Sequence, residues 1–204
     1  MPKSIRAFTE NSGKNIGTGF FVRRNGESWL ITAAHIHDGT NRRSSDWRVW
    51  PDKITLQDEK RGTLDIPLFL TVNGARVPTF RHYPPVNNVI SDIIALKVPV
   101  VPDGFTVFDL NDVAPVCISM KVHATGYPSK GNNWLRGVEY RLNAKIIDFD
   151  DTIILFRPAC SPGASGGPIV KDGKLAGMHF GHDRGVGKAV TTNAICQLLD
   201  SHAP

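Results

Sequence analysis

The chain has 204 residues, 41% of them hydrophobic, with 24 Lys and Arg against 19 Asp and Glu and a formal charge of +5. This balance excludes a disordered chain and leaves enough length to bury a core in one compact unit or two small subdomains. No apolar run approaches the roughly 20 residues that span a bilayer as a helix, and the polar opening Met1-Pro2-Lys3-Ser4-Ile5-Arg6 does not read as a signal peptide.

Short or alternating apolar runs predict strands at Gly17–Arg23, Trp29–Ala33, Trp47–Leu56, Ile66–Val72, Ala75–Phe80 and Ile93–Val98. Asn25-Gly26 and Asn73-Gly74 supply the residues that tight hairpins need. Pro99–Pro115, punctuated by Pro99, Pro102, Asp103-Gly104 and Pro115, reads as a linker. A second set of strands is predicted at Val116–Gly126, Leu135–Phe149, Ile153–Arg157, Pro168–Lys171, Leu175–Phe180 and Lys188–Thr192. Turns are expected at Asp148–Asp151 and at Asp172-Gly173. Asn193 reads as the cap of a short helix, Ala194–Ser201, with Ile195, Leu198 and Leu199 on one face. The chain is therefore expected to be all-β up to this last helix.

The segment Ser161-Pro162-Gly163-Ala164-Ser165-Gly166-Gly167-Pro168 places one hydroxyl in a run that permits unusual backbone geometry. Serine becomes a nucleophile only when a base takes its proton and donors stabilise the oxyanion that forms. Two partners precede it. Ile31-Thr32-Ala33-Ala34-His35 ends an apolar strand on an imidazole, and Ser91-Asp92-Ile93-Ile94-Ala95-Leu96 opens one on a carboxylate. The chain order His, Asp, Ser is one of the known orders of an acyl-transfer triad. Each motif alone is a common turn or strand end; together and in this order they are not.

These three motifs resemble the signatures of chymotrypsin-like (trypsin-superfamily) serine proteases over nearly the whole chain. The resemblance implies two antiparallel six-stranded β-barrels, residues 1–98 and 116–204, joined by the linker 99–115 and followed by the helix. It implies His35 as general base, Asp92 as its orienting carboxylate, Ser165 as nucleophile, and the N–H groups of Gly163 and Ser165 as an oxyanion hole. The triad would meet in the cleft between the barrels, where a polypeptide substrate would lie extended. No metal or cofactor is expected.

The neighbourhood of Ser165 narrows the subtype. Ala164 replaces the aspartate with which zymogen-activated relatives form their hole, and Ala159 replaces the acid of a trypsin-like pocket. Gly177-Met178-His179-Phe180-Gly181 resembles the Gly-X-His signature of 3C-like and sobemovirus or polerovirus polyprotein-processing proteases. That likeness implies a pocket of Ala159, Cys160, His179 and Gly181 in which His179 meets a Glu or Gln before the scissile bond. A core histidine bonded to a neighbouring strand is the plainer alternative. Cys160 stands where those families usually carry a threonine. A viral processing enzyme that also cuts itself free, acting in host cytoplasm, is the expectation. A cellular trypsin-like or HtrA-like protease and a catalytically silent peptide- or RNA-binding module are the alternatives.

Cys117, Cys160 and Cys196 are odd in number and widely spaced, so no full disulfide framework is implied, and a reducing compartment is favoured. Cys117 and Cys196 read as small buried hydrophobes. Arg42-Arg43 and Lys60-Arg61 read as solvated loop pairs, with weak nucleic-acid binding the alternative. His35-Ile36-His37-Asp38 and His179-Phe180-Gly181-His182-Asp183 lack further ligands at a zinc-site spacing.

Overall fold

β-Branched and aromatic runs, cut by Asn-Gly and Asp-Gly pairs, form strands in both halves of the computed structural model, which describes residues 4–8, 16–37, 50–58, 62–83, 92–128 and 139–201. The first half contains β1 (Ile5–Phe8), β2 (Ile16–Arg24), β3 (Glu27–Thr32), β4 (Lys53–Asp58), β5 (Gly62–Pro67), β6 (Phe69–Val72), β7 (Ala75–Pro78), β8 (Phe80–His82) and β9 (Ile94–Val98). β10 (Val107–Asp109) follows. The second half contains β11 (Lys121–Gly126), β12 (Tyr140–Phe149), β13 (Ile153–Arg157), β14 (Pro168–Lys171), β15 (Lys174–Asp183) and β16 (Val186–Thr191), then the helix α1 (Thr192–Asp200).

The expected all-β architecture with one C-terminal helix is observed. The second half closes as a six-stranded barrel in the order β11-β12-β13-β16-β15-β14. The first half forms one eight-stranded sheet, β5-β4-β1-β2-β3-β9-β8 with β10 beside β2, and β6 pairs with β7 in a separate ribbon. The three hairpin pairs take the expected left-handed backbone, with φ of 51° and 79° at Asn25 and Gly26, 50° and 78° at Asn73 and Gly74, and 49° and 85° at Asp172 and Gly173.

Several boundaries differ from the sequence reading. Val107–Asp109, inside the expected linker, pairs parallel with Phe21–Arg23 and buries Phe108. The end of that segment docks on the second barrel, where Ala114 N–H donates to Leu175 C=O at 2.8 Å. β1 is an additional strand, too short to declare itself by alternation. The expected run Ile66–Val72 is two strands, because the chain leaves one sheet at Pro67 and enters the ribbon at Phe69. The helix is capped by Thr191 rather than Asn193: Thr191 Oγ1 accepts from Ala194 N–H at 3.1 Å. The first residues of the runs expected at Trp47 and Leu135, and the pairs Arg42-Arg43 and Lys60-Arg61, lie outside the described residues.

Three apolar clusters hold the halves. Phe21, Leu30, Ile54, Leu56, Phe80 and Leu96 fill the first sheet, and Ile146, Ile154, Phe156, Ile169 and Ala176 fill the closed barrel. The largest cluster lies between the halves, joining Phe20, Ile31 and Ile93 to Val170, Met178, Val190 and the helix residues Ile195 and Leu198. Cys160 is buried and Cys196 half-buried, but Cys117 is exposed, contrary to the expectation for it; all three are free thiols. Cys117 sits on the turn before β11, where chain reversal leaves its side chain outside the barrel.

Candidate active site

Strand pairing brings His35 and Asp92 together. β3 and β9 are antiparallel with Thr32 opposite Ile94, so Asp92, two residues before Ile94, lies against the chain just past β3. There a single 3-10 turn, Ala34–Ile36, carries His35. His35 Nδ1 lies 2.9 Å from Asp92 Oδ2 and 3.0 Å from Oδ1, and His35 N–H donates to Oδ1 at 2.9 Å. The Asp92 side chain is 3% exposed and that of His35 21%. A nearly buried carboxylate thus fixes the imidazole through Nδ1, which selects the tautomer with Nε2 available as a base.

Ser165 lies in the loop between β13 and β14. Gly163 and Gly166 take left-handed φ values of 93° and 85°, which the Ala164 to Gly167 reversal requires. The loop is pressed onto the first half. A Cβ at Gly166 would fall 1.9 Å from Thr18 O, 2.6 Å from Thr32 Oγ1 and 3.0 Å from Ala33 N. A Cβ at Gly167 would fall 2.0 Å from Thr125 O. The residue after Ser165 therefore rests on the strand end that turns into His35, which is the close approach that excludes any side chain at Gly166.

Thr18, which the sequence reading passed over, makes this junction. It is fully buried. Its N–H donates to Ser165 C=O at 2.8 Å, and its Oγ1 donates to Gly163 C=O at 3.0 Å while accepting from Tyr127 N–H at 2.9 Å. Thr32 Oγ1 donates to Thr18 C=O at 2.7 Å. The carbonyls of Gly163 and Ser165 are thus both held, while among the described residues the N–H groups of these two residues make no backbone hydrogen bond. Two unspent donors on a loop fixed through their own carbonyls are what an oxyanion site needs. A polar residue in a Gly-Thr-Gly run at a strand start was the only sequence signal for Thr18.

Of the expected pocket residues, His179 is tied directly to this loop, and Cys160 shares the barrel's apolar cluster with Ala164. His179 N–H donates to Gly167 C=O at 2.8 Å and Gly166 N–H to His179 C=O at 2.7 Å, so β15 is stitched to the serine loop. His179 is 2% exposed, and its ring meets the edge of Phe156 at 5.7 Å between centroids. Neither ring nitrogen has a hydrogen bond among the described residues. Burial pushes its pKa down to about 4, against the pull of the Ala164 and Gly181 carbonyls, with His182 and His35 adding to the downward push. The ring is therefore neutral near pH 7. Cys160 is buried, and desolvation raises its thiol to about 12. Ala159 is half-buried, and beyond Gly181 the space is open, since a Cβ there would meet nothing within 4 Å.

His37 is a buried core residue packed on Trp50, with ring centroids 5.8 Å apart. Asp38, its neighbour in the motif, lies outside the described residues. Among the described residues no three His, Cys, Asp or Glu side chains are grouped to hold a metal ion.

Curated protein sequences contain no match to this chain. Solved structures with the same fold include a protease from M. tuberculosis in its active form, at 21% identity over 98% of this chain and 81% of that one, with a TM-score of 0.59. An inactivated protease paralogue of the scabies mite matches at 13% identity over 97% of this chain and 92% of its own, with a TM-score of 0.68. A Glu endopeptidase matches at 15% identity over 97% and 89% of the two chains, with a TM-score of 0.65. At these identities the likeness is one of fold. The trypsin-like peptidase domain, as a family, matches residues 17–178, a span that contains His35, Asp92 and Ser165 and stops just before His179. With that match over most of its length, and a chymotrypsin-like fold around the site, the chain belongs to the trypsin-like peptidase domain family.

Proposed function

We propose that this chain is a serine endopeptidase. The observation that carries the reading is the clamp at the cleft: His35 fixed through Nδ1 by buried Asp92, with the loop of Ser165 seated on the same strand end through Gly166 and Thr18. Ser165 Oγ attacks the peptide carbonyl while His35 Nε2 takes its proton, and Asp92 stabilises the imidazolium without taking the proton itself. The N–H groups of Gly163 and Ser165 hold the oxyanion. His35 then gives the proton to the departing amine, and a water activated by His35 releases the acyl group from Ser165.

The substrate is a polypeptide with Glu or Gln before the scissile bond, received in the pocket of Ala159, Cys160, His179 and Gly181. His179 supports this, because a neutral, desolvated imidazole whose ring nitrogens make no hydrogen bond among the described residues gains one when a buried carboxylate or carboxamide reaches it. In this reading the enzyme processes a viral polyprotein, itself included, in the cytoplasm of the host. The free thiols and the Gly-X-His motif support that assignment.

Incubating the chain and its Ser165→Ala variant with a peptide library and with a fluorophosphonate tests the reading. Wild type should cleave and become labelled at Ser165, with the variant slower by about 10⁴-fold or more. Equal turnover would refute the enzyme reading in favour of a silent binding module. His179→Ala should erase the preference for Glu and Gln. Efficient cleavage after other residues, unchanged by that substitution, would point to a cellular type of protease instead.

A further inference from the structure

The outer wall of the second barrel carries a row of cations. Lys121 on β11 is the direct cross-strand partner of Lys145 on β12, and Lys145 is the direct partner of Arg157 on β13. All three are exposed. Neighbouring strands lie about 4.8 Å apart, so the three Cα atoms span about 10 Å. Like charges placed directly opposite destabilise a sheet. Among the described residues no carboxylate pairs with any of the three.

The row lines a groove of about 520 Å³ with Lys171, His123 and Asn143. His123 Nδ1 donates to Asn143 Oδ1 at 2.6 Å, one level along the same strands. Among the described residues Asp172 is the one acid on the rim, and it is taken by Lys171 Nζ at 2.8 Å. The volume is that of a small-molecule site.

We propose that this groove binds a multiply charged phosphate anion of nucleotide size, a free polyphosphate or the phosphate chain of a nucleotide. A phosphate chain concentrates several negative charges within about 10 Å, which matches the row. Carboxylates on one face of an extended peptide recur only about every 7 Å and carry one charge each. Arg157 supplies the planar fork that grips a phosphoryl group through two parallel bonds, and the lysines supply point charges beside it. The groove lies on the wall formed by β11, β12 and β13 and shares no residue with the candidate triad or pocket.

Calorimetric and thermal-shift titrations of the full chain with inorganic triphosphate, ATP, adenosine, an acidic peptide and a short single-stranded RNA test this. Triphosphate and ATP should bind and raise Tm, more weakly as salt increases, and adenosine should not. Equal affinity for the first two identifies the free anion chain as the ligand, and tighter ATP binding identifies a nucleotide. Lys145→Gln should raise the ligand-free Tm, by removing two like-charge contacts, and lower triphosphate affinity about tenfold or more. Arg157→Gln should weaken it similarly, and Lys53→Gln, on the other sheet, should not. The proposal fails if millimolar triphosphate gives neither heat nor shift, if both groove variants bind like wild type, or if only the RNA or the peptide binds.

Discussion

Replacing His37 by Phe isolates the acid lability built in behind the candidate triad. His37 ends the turn that carries His35 and is 1% exposed, with neither ring nitrogen hydrogen-bonded among the described residues. Burial pushes its pKa down to about 3, and the neighbouring His35 pushes it the same way. In the unfolded chain a histidine titrates near 6.5. Between pH 6.5 and 3 the unfolded state therefore binds more protons than the folded one, and stability falls as pH falls through that window. The slope is half of about 1.4 kcal/mol per pH unit at 6.5 and approaches the full value below it, so lowering pH from 6.5 to 4.5 removes about 2 kcal/mol through His37 alone. That is a large part of the 5–15 kcal/mol typical of a domain. Phe cannot titrate, so His37→Phe removes this slope. The larger ring also shifts the absolute stability through overpacking, by about 1–3 kcal/mol, so the slope is the quantity to read. Urea unfolding at pH 6.5, 5.5 and 4.5, followed by tryptophan fluorescence, should show the variant losing about 2 kcal/mol less than wild type. His179, depressed to about 4, contributes in both proteins and cancels. Parallel pH profiles would refute the reasoning.

Further substitutions and one chemical treatment follow from the same geometry. Thr18→Val removes the hydroxyl that holds Gly163 C=O; on a cleaved peptide it should lower kcat about 10- to 100-fold with KM little changed, and Thr18→Ser should restore it. Gly166→Ala, at φ 85° and 1.9 Å from Thr18 O, should cost about 3 kcal/mol or more in urea unfolding. Gly26→Ala, at φ 79° with nothing within 4 Å, should cost only about 1 kcal/mol. Native alkylation at pH 8, read by mass spectrometry, should modify exposed Cys117 and spare Cys160, whose buried thiol is raised to about 12.

What the sequence carried locally was legible. The Asn-Gly and Asp-Gly hairpins, the apolar run after Asp92 and the glycines around Ser165 announce themselves within a few residues, because turn geometry and strand alternation are short-range. Thr18 could not be read that way: its partner Gly163 is 145 residues distant, and its role exists only once the halves dock. β10 was hidden by the prolines around it and is a strand only because β2 offers it an edge. His37 and His179 look alike in sequence, each in a short histidine motif, but burial of both rings depends on Trp50, just before β4, and Phe156, on β13, which are distant in the chain.

The candidate site belongs to the junction of the two halves. His35 and Asp92 come from one sheet and Ser165 from the other, and the apolar cluster between them includes the helix α1. The first half also grips that helix from outside: Tyr83 Oη donates to Ala194 C=O at 2.5 Å, Arg81 donates to Leu199 C=O, and Arg24 pairs with Asp200 at 2.7 Å. The exposed Arg24 pair adds little. The Arg81 and Tyr83 bonds satisfy helix carbonyls, and those near the C-terminus lack partners within the helix. These contacts and Thr18 lie on different parts of the same interface, so a substitution that loosens the helix should displace Ser165 relative to His35 without touching either. Positions such as Tyr83 should therefore behave as positioning residues for the chemistry, although none of them touches a substrate.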